Sequence, residues 1–272
     1  MNKICSLCCE CGEKNLEVAV NYTKPPEGEL IHVPKSQKYE RCYLACNDCG
    51  HFFADHNINL DKVYERQYLE NHYGDVDLLE QKFLSILNLP KEKSDNKNRV
   101  ERIRNFFDSK EVYKKKLLDI GAGIGVFGQE MSNIGWNVVG TELDELMVDH
   151  LRLNTQIKAI RSNLIDAFQL DLGTFDLITF NKVLEHVNNP TDLLSASLQY
   201  LNKSGYVYIE VPDVLAISEG QDREEFYIDH LHVFTKQSVT NMIENVGMKC
   251  VAVNSIREPS GKFTIFSFAE YV

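Results

Sequence analysis

The spacing of hydrophobic residues changes along the chain and divides it into segments. Near the N-terminus, short apolar runs bounded by polar turns predict strands over Leu16–Tyr22 and Leu30–Val33. Between residues 78 and 107, apolar residues recur every three or four positions. This spacing predicts two helices separated by a polar loop over Lys91–Asn98.

From residue 117 onward, apolar strand-like runs alternate with helical segments. The predicted strands are Leu117–Ile120, Trp136–Glu142, Ile157–Arg161, Phe175–Asn181 and Tyr206–Val211. This alternation predicts an α/β fold with a doubly wound, mostly parallel sheet of seven strands. The last two strands, Lys249–Ile256 and Lys262–Ala269, are joined by only five residues, so we expect them to pair antiparallel. We therefore predict a cysteine-rich module over 1–60, a helical connector over 61–112 and an α/β domain over 113–272.

Charge and composition narrow the classes of partner. The 272 residues include 40 acidic and 29 basic side chains, which gives a net charge of −11. Such a chain lacks the basic face that nucleic acid or an anionic membrane surface requires. The longest stretch without a charged residue, Met131–Thr141, has 11 residues, whereas a membrane-spanning helix needs about 20. We therefore expect a cytoplasmic protein with no nucleic-acid and no membrane partner.

The cysteines are concentrated at one end of the chain. Seven of the eight lie within the first 49 residues, and two C-x-x-C-G elements occur there, one over 8–12 and one over 46–50. In each element the glycine allows a tight turn, so that both thiolates can face one tetrahedral ion. The spacing predicts a zinc ribbon with four structural Zn²⁺ ligands: Cys8, Cys11, Cys46 and Cys49. Cys5 and Cys42 offer alternative ligand registers; otherwise we interpret Cys5, Cys9 and Cys42 as spare, and His51 and His56 as surface residues.

A glycine loop follows the first strand of the α/β segment. Gly121, Gly123 and Gly125 stand where this strand turns into a helix, which lets a ligand approach the backbone and the free N–H groups of the helix. Glu142, at the end of the next strand, is placed to accept hydrogen bonds from ribose hydroxyls. The pattern over 123–128 also fits the G-x-G-x-x-G fingerprint of dinucleotide-binding proteins, but its first glycine does not follow the strand directly. Asp119 would repel a pyrophosphate and suits a cofactor with an amino-acid tail.

Four segments together resemble class I S-adenosylmethionine-dependent methyltransferases. They are the glycine loop over 116–125, the strand end over 139–142, the fourth-strand segment over 175–187 and the turn into strand five over 201–212. The resemblance implies S-adenosylmethionine as the cofactor and a methyltransferase activity. It also implies a set of cofactor-binding residues: Asp119, Gly121 and Gly123 at the methionine portion, Glu142 at the ribose, Asn163 and Leu164 flanking the adenine, and in addition Ala122, Leu143 and Asn181.

The acceptor side is predicted from two histidines that follow strand ends. His186 follows the fourth strand of the α/β segment and His230 follows the fifth, both on the cofactor-side rim. The segment over 226–235 resembles zinc-containing sugar C-methyltransferases, which act on nucleotide-linked keto sugars. That resemblance implies Tyr227, Asp229, His230 and His186 as catalytic or acceptor-site residues, with His230 as the base. We also expect 216–229 to form a solvated lid, because it carries Glu219, Asp222, Glu224 and Glu225.

The sequence leaves several alternatives open. A small polar acceptor, such as a nucleotide-linked sugar or a surface-glycan building block, is favoured, but methylation at carbon and at oxygen are not distinguished. A zinc-containing ribosomal-RNA methyltransferase would need a basic surface, which the net charge argues against. A non-catalytic interaction protein would bind no S-adenosylmethionine, and an NAD-dependent oxidoreductase is the weakest alternative. The oligomeric state is not predicted.

Overall fold

A computed structural model of the chain describes residues 15–29, 38–56, 58, 76–108, 110, 115–162 and 171–272. Within these ranges, no helix is both long and apolar enough to cross a lipid bilayer. The predicted strand over 30–33 lies outside them. So do six residues singled out in the sequence: Cys5, Cys8, Cys9, Cys11, Asn163 and Leu164.

The described residues contain eleven strands and six α-helices. The strands are β1 (Leu16–Tyr22), β2 (Arg41–Cys46), β3 (Phe52–His56), β4 (Lys116–Ile120), β5 (Asn137–Glu142), β6 (Lys158–Arg161), β7 (Phe175–Asn181), β8 (Leu201–Pro212), β9 (His232–Val233), β10 (Met248–Arg257) and β11 (Phe263–Tyr271). The helices are α1 (Val76–Leu87), α2 (Asp95–Phe107), α3 (Val126–Asn133), α4 (Glu145–Asn154), α5 (Pro190–Ser197) and α6 (Lys236–Asn245).

Seven strands form the central sheet in the order β10-β11-β8-β7-β4-β5-β6. Strands β4 to β8 are parallel, whereas β11 runs antiparallel to both β8 and β10. The predicted mostly parallel α/β sheet and its antiparallel C-terminal pair are therefore confirmed. The chain moves from β4 outward to β6 and then returns to β7 on the other side of β4. A ligand cleft is expected at this reversal, at the carboxyl ends of the strands.

The core lies on both faces of this sheet. Leu117 and Leu118 on β4 are both completely buried, although their side chains point to opposite faces. Ile103 of α2 packs in the cluster on one face, and Met242 of α6 packs in the cluster on the other. Because both faces are covered by helices, the central strands are continuously apolar rather than alternating.

A buried ion-pair network joins α2 to β8. Arg99 Nε donates to Glu210 Oε2 at 2.7 Å, and Arg102 pairs with both Glu210 and Glu258. Although burial raises the pKa of Glu210, the two guanidinium groups lower it to about 2. The network fixes α2 against the sheet, directly behind the strand end that leads to the predicted acceptor site. The helix begins at Asp95, so the predicted loop is shorter than expected and Asn98 is helical.

A second, four-stranded sheet has the order β1-β2-β3-β9. Its first three strands come from the N-terminal module, but β9 comes from the segment that follows β8. Phe53 of β3 pairs with His232 of β9, and both are buried. The N-terminal strands are thus completed by a strand from the α/β part of the chain, and the sequence pattern did not predict this pairing.

Three expectations about exposure are wrong. His51 and His56 are buried rather than on the surface, with exposed fractions of 0% and 7%. His51 Nε2 lies 3.1 Å from His232 Nδ1, because the contact between the two sheets encloses both rings. Within the predicted lid, Glu225 is buried because it pairs with Arg223 and accepts a hydrogen bond from the Phe263 amide. The lid segment otherwise forms two short 3₁₀ turns, over Val214–Glu219 and Glu224–Phe226.

Candidate functional site

The glycine loop has the backbone conformation that its sequence requires. Gly121, Gly123 and Gly125 have φ values of 66°, 56° and 79°, in the region that favours glycine. A side chain at Gly121 would collide with Val183, since a Cβ would lie 2.6 Å from a methyl carbon of that residue. At Gly123, by contrast, no atom of the described chain lies within 4 Å of that position. The loop is therefore open above Gly123, at the N-terminus of α3, where a cofactor can contact the backbone.

Glu142 is tied to the glycine loop by its own carboxylate. Oε1 accepts a hydrogen bond from the Gly123 amide at 2.6 Å, and Oε2 accepts one from the Leu143 amide at 3.1 Å. Burial raises the pKa of Glu142, and these two amides act in the opposite direction. Each carboxylate oxygen can accept a further hydrogen bond, so the group remains able to bind two ribose hydroxyls. The Leu143 side chain beside it is 63% exposed.

Asp119 is buried under the loop. Its Oδ1 accepts hydrogen bonds from the Thr179 hydroxyl at 2.7 Å and from the Asn181 amide at 2.9 Å. Burial raises the pKa of Asp119 to about 6, although these hydrogen bonds lower it. The side-chain amide oxygen of Asn181, Oδ1, is buried and has no hydrogen-bond partner in the described part of the chain. Asp119 thus orients an amide whose acceptor atom is left for a ligand.

A cavity of about 860 Å³ lies beyond the ends of β7 and β8. The 3₁₀ turn over Glu224–Phe226 forms part of its wall. The predicted acceptor-site residues all line it, and several unpredicted residues join them. The residues that line the cavity include Glu29, Lys182, Glu185, His186, Tyr227, Asp229 and His230.

The structure brings the two predicted histidines together. The rings of His186 and His230 are 4.8 Å apart between centroids, although 44 positions separate them in sequence. His186 Nδ1 lies 2.9 Å from the Asp229 carbonyl, and His230 Nδ1 lies 2.9 Å from the Glu225 carbonyl. Because a carbonyl only accepts, each Nδ1 carries a proton, and Nε2 is then the basic atom of a neutral ring.

The environment of His230 favours the neutral ring. Burial lowers the pKa of His230, and neighbouring His186 lowers it further, while Asp229 raises it. The side-chain carboxylate of Asp229 lies 3.7 Å from His186 Nδ1. The Tyr227 hydroxyl donates to the Glu27 carbonyl at 3.0 Å, which ties this wall of the cavity to the N-terminal module.

Two cavity residues were missed by the sequence analysis. Glu185 is completely buried, and neither carboxylate oxygen has a hydrogen-bond partner in the described ranges. One ligand atom each from Glu185, His186 and His230 lies within 4.8 Å of the other two, an arrangement that can hold a metal ion. Lys182 is the second missed residue, and its φ of 60° is unusual for a residue other than glycine. Both are adjacent in sequence to a predicted site residue, Lys182 to Asn181 and Glu185 to His186, but no motif marks either of them.

The N-terminal module supplies part of the cavity wall. The buried guanidinium of Arg41 donates to the Phe226 carbonyl at 2.7 Å and to Glu29 at 3.1 Å. Glu29 in turn accepts the Ile228 amide at 2.9 Å. The segment that leads into His230 is therefore held from the N-terminal side by a buried ion pair.

The second C-x-x-C-G element forms the expected turn. Cys46 and Cys49 are buried, Gly50 has a φ of 72°, and its amide donates to the Cys46 carbonyl at 2.8 Å. Thr235, the N-cap of α6, donates to the Cys49 carbonyl at 2.6 Å. This turn fits one half of a tetrahedral thiolate site. The other half lies outside the described residues.

Comparison with curated proteins finds O-methyltransferases. The ubiquinone biosynthesis O-methyltransferase of Shewanella pealeana is 30% identical over 102 residues, which are 36% of this chain and 43% of that protein. The enzyme of the same name from Nitrosococcus oceani is 31% identical over 121 residues, which are 42% and 49% of the two chains. This chain thus spans slightly less than half the length of these relatives.

Solved structures share the fold. The magnesium protoporphyrin IX methyltransferase of Synechocystis PCC 6803, solved with bound S-adenosylhomocysteine, superposes with a TM-score of 0.57 at 14% identity. The match covers 78% of this chain and all of that one. A plantazolicin methyltransferase, also solved with S-adenosylhomocysteine, gives a TM-score of 0.56 at 14% identity and covers 78% and 96%. At this identity the likeness establishes the class I methyltransferase fold.

The family model is the most extensive of the sequence matches. It is described as a methyltransferase domain and matches residues 92–253, more than half of the chain. The match includes the glycine loop, Glu142 and both cavity histidines. The chain therefore belongs to the methyltransferase domain family.

Proposed function

We propose that the chain transfers a methyl group from S-adenosylmethionine to a small polar acceptor bound in the cavity. The observation that carries this proposal is the His186–His230 pair. Each ring holds its Nδ1 proton on a backbone carbonyl, so that Nε2 is the basic atom of the neutral ring. The pair lines a cavity at the carboxyl ends of the strands, on the same edge of the sheet as the glycine loop.

The proposed cofactor site follows the loop and its two carboxylates. Gly121, Ala122 and Gly123 face the methionine portion, and Glu142 and Leu143 hold the ribose. Asp119 and Asn181 bind near the amino-acid tail, while Asn163 and Leu164 are proposed for the adenine. When bound, S-adenosylmethionine supplies an electrophilic methyl group on a positively charged sulfur.

The chain's own groups then orient the acceptor and remove its proton. His230 is neutral near pH 7, because burial lowers its pKa, so its Nε2 can accept a proton from the acceptor. The His186 ring packs against the His230 ring, and the Asp229 carbonyl holds His186 in place. Tyr227 closes the side of the cavity. Holding the two reactants side by side accounts for a further part of the rate enhancement.

The class of acceptor is the finer part of the proposal. A nucleotide-linked sugar is supported by the resemblance of the segment over 226–235. Arg257 and Lys262 also line the cavity, where they pair with Glu219 and Glu224 and would have to exchange these partners to contact phosphates. Transfer to oxygen is supported by the relatives, whose names describe O-methyltransferases. Both acceptor classes are small and polar, so the same cavity suits either.

The N-terminal module is proposed to bind one structural zinc ion through Cys8, Cys11, Cys46 and Cys49. The tight turn at Cys46–Gly50 supports this assignment. Four thiolates leave no open coordination position, so such an ion would support the fold and take no part in methyl transfer. We propose the boundaries 1–60, 61–112 and 113–272 for the module, the connector and the cofactor-binding domain.

A transfer assay tests the proposed function. The full chain is incubated with S-adenosylmethionine labelled on the methyl group and with a panel of nucleotide sugars, including keto forms, and hydroxylated aromatic compounds. We expect label to be transferred to one class. Calorimetry with S-adenosylhomocysteine is the first control, because a chain that does not bind this product would contradict the proposal outright.

A further inference from the structure

Two oppositely charged side chains lie on the cavity wall without neutralising each other. Lys182 and Glu185 are three residues apart in the turn that follows β7, and both line the cavity. No ion pair joins them, and the one ion-pair contact that either makes within the described ranges is the 4.0 Å approach of Glu185 Oε1 to His186 Nε2. A pair of groups this close would normally meet, so their separation requires a local explanation.

The backbone of Lys182 keeps them apart. Its φ of 60° is in the left-handed region, and its amide donates to the Glu210 carbonyl on β8 at 3.0 Å. Its ammonium donates to the Thr264 hydroxyl on β11 at 2.7 Å. This bond uses one of three ammonium donors. A left-handed lysine costs conformational energy, and such strain is concentrated at functional sites.

Glu185 provides the hydrogen-bond acceptor that complements the Lys182 donor. Its side chain is completely buried, yet both oxygens lack a hydrogen-bond partner among the described residues. Leaving a carboxylate in this state is unfavourable, so native structures rarely do so away from a ligand site. Glu185 can therefore accept a hydrogen bond from a ligand, while Lys182 has donors to offer.

We propose that Lys182 and Glu185 together bind a hydroxyl group of the acceptor, which accepts a hydrogen bond from Lys182 and donates one to Glu185. A hydroxyl is the small group that does both at a single atom. This inference rests on the proposed function, because it adds an anchor to the same cavity. Since His230 takes the proton of the reacting group, the anchored hydroxyl is a second one.

The positions of the histidines limit where the second hydroxyl lies. The carboxylate of Glu185 and the ring nitrogens of His186 and His230 are within 4.8 Å of one another. A group bound by Glu185 and a group that loses its proton to His230 must therefore be close neighbours on the acceptor. The acceptor class is thus a compound with two adjacent polar groups, at least one of them a hydroxyl.

Simple probes test this anchor. The full chain is titrated with 1,2-dihydroxybenzene and with its mono- and dimethyl ethers, by calorimetry or ligand-observed NMR, in the presence and absence of S-adenosylhomocysteine. Each methyl ether replaces one hydroxyl, which donates and accepts, with a methoxy group, which only accepts and is larger by one carbon. We expect the dihydroxy probe to bind at least about tenfold more tightly than the dimethyl ether, as the loss of hydrogen bonds to charged groups predicts.

Two variants assign the preference to the pair. Lys182→Met and Glu185→Leu should each reduce the tenfold preference to less than about twofold, with S-adenosylhomocysteine affinity unchanged. Lys158→Met, on the exposed end of β6, is the matched control and should retain the preference. Thermal denaturation of each variant reports whether that variant is folded. If a variant does not fold, the affinities of the wild type for the three probes still decide the test.

Three results would overturn the inference. One is equal affinity of the wild type for the three probes, and another is an unchanged preference in both folded variants. The third is loss of the preference in EDTA and its return with Mg²⁺ or Zn²⁺, which would assign Glu185 to a metal ion instead. Failure to bind S-adenosylhomocysteine would contradict the proposed function, whereas the probe series without it still tests the pair.

Discussion

The phenolic oxygen of Tyr43 lies 2.7 Å from the backbone carbonyl oxygen of His230, although 187 positions separate the two residues. Tyr43 is completely buried in the second strand of the N-terminal module. On the neighbouring strand β3, the Ala54 amide donates to the Leu231 carbonyl, and the Leu231 amide donates to the Glu185 carbonyl at 2.7 Å. The proposed base and the buried carboxylate are therefore both positioned through the N-terminal sheet.

Removing the Tyr43 hydroxyl should therefore reduce the reaction with the methyl acceptor and leave the binding of the cofactor unchanged. We expect Tyr43→Phe to lower kcat/KM for the acceptor found in the transfer assay about three- to tenfold, the scale of one lost hydrogen bond. The affinity for S-adenosylhomocysteine should not change. Tyr271→Phe is the control, because its hydroxyl makes the same type of bond, to the Leu198 carbonyl at 2.8 Å. Equal losses in both variants would show a general effect on stability.

His230→Asn should reduce turnover about 10²–10⁴-fold, the usual contribution of a general base. Burial lowers the pKa of His230, and the ring acts in its neutral form. The activity of the wild type should therefore fall on the acid side only below the ordinary histidine value of about 6.5. A pH–rate profile measures this loss of activity at acid pH. Full activity of His230→Asn together with inactivity of His186→Asn would move the base to His186.

Glu142→Ala should weaken binding of S-adenosylmethionine by about 1–3 kcal/mol. The variant loses the proposed ribose contacts and also the bond that holds the Gly123 amide. Calorimetry measures the effect. Glu145→Ala is a suitable control, because this neighbouring carboxylate is exposed and pairs with Arg161 at the surface. Equal affinity of wild type and Glu142→Ala would contradict the proposed cofactor site.

His232 should make the folded state sensitive to acid. Burial lowers the pKa of His232 to about 4, so between pH 4 and 6.5 the unfolded chain binds more protons there than the folded chain. The contribution of His232 to the free energy of unfolding should therefore be fully present above pH 6.5. The free energy of unfolding should fall by roughly 3 kcal/mol as the pH is lowered to 4. Denaturant titrations at several pH values measure this slope, and it should be smaller in His232→Gln. An unchanged slope in that variant would assign the acid sensitivity to other groups.

The cysteine turn should bind metal together with the first C-x-x-C element. We expect one zinc ion per chain by elemental analysis, and loss of that ion in Cys46→Ser and Cys49→Ser. Cys250→Ser, on β10 and far along the sequence from the module, should keep the ion. Chelation should also lower the thermal stability, because the turn packs on the N-terminus of α6 through Thr235. A metal-free wild type with unchanged stability would contradict the zinc assignment.

Local sequence patterns predicted the central sheet well. Strands β4, β5 and β7 carry apolar runs in the buried middle of the sheet, and such runs can be recognised without knowledge of the fold. The glycine loop was equally clear, since φ values near 60° at Gly121 and Gly123 are ones that only glycine adopts easily. The strand-end position of Glu142 followed from the same local order of elements.

The acceptor cavity depended on contacts that no local pattern encodes. His186 and His230 were identified as separate strand-end residues, but their meeting at 4.8 Å follows from the path of the chain after β8. Burial of His51, the pairing of β3 with β9, and the bond from Tyr43 to His230 all join segments more than 175 residues apart. Lys182 and Glu185 acquire their significance in the same way. A charged residue looks solvent-exposed in sequence, and only the tertiary structure shows that Glu185 is buried and that both side chains line a cavity.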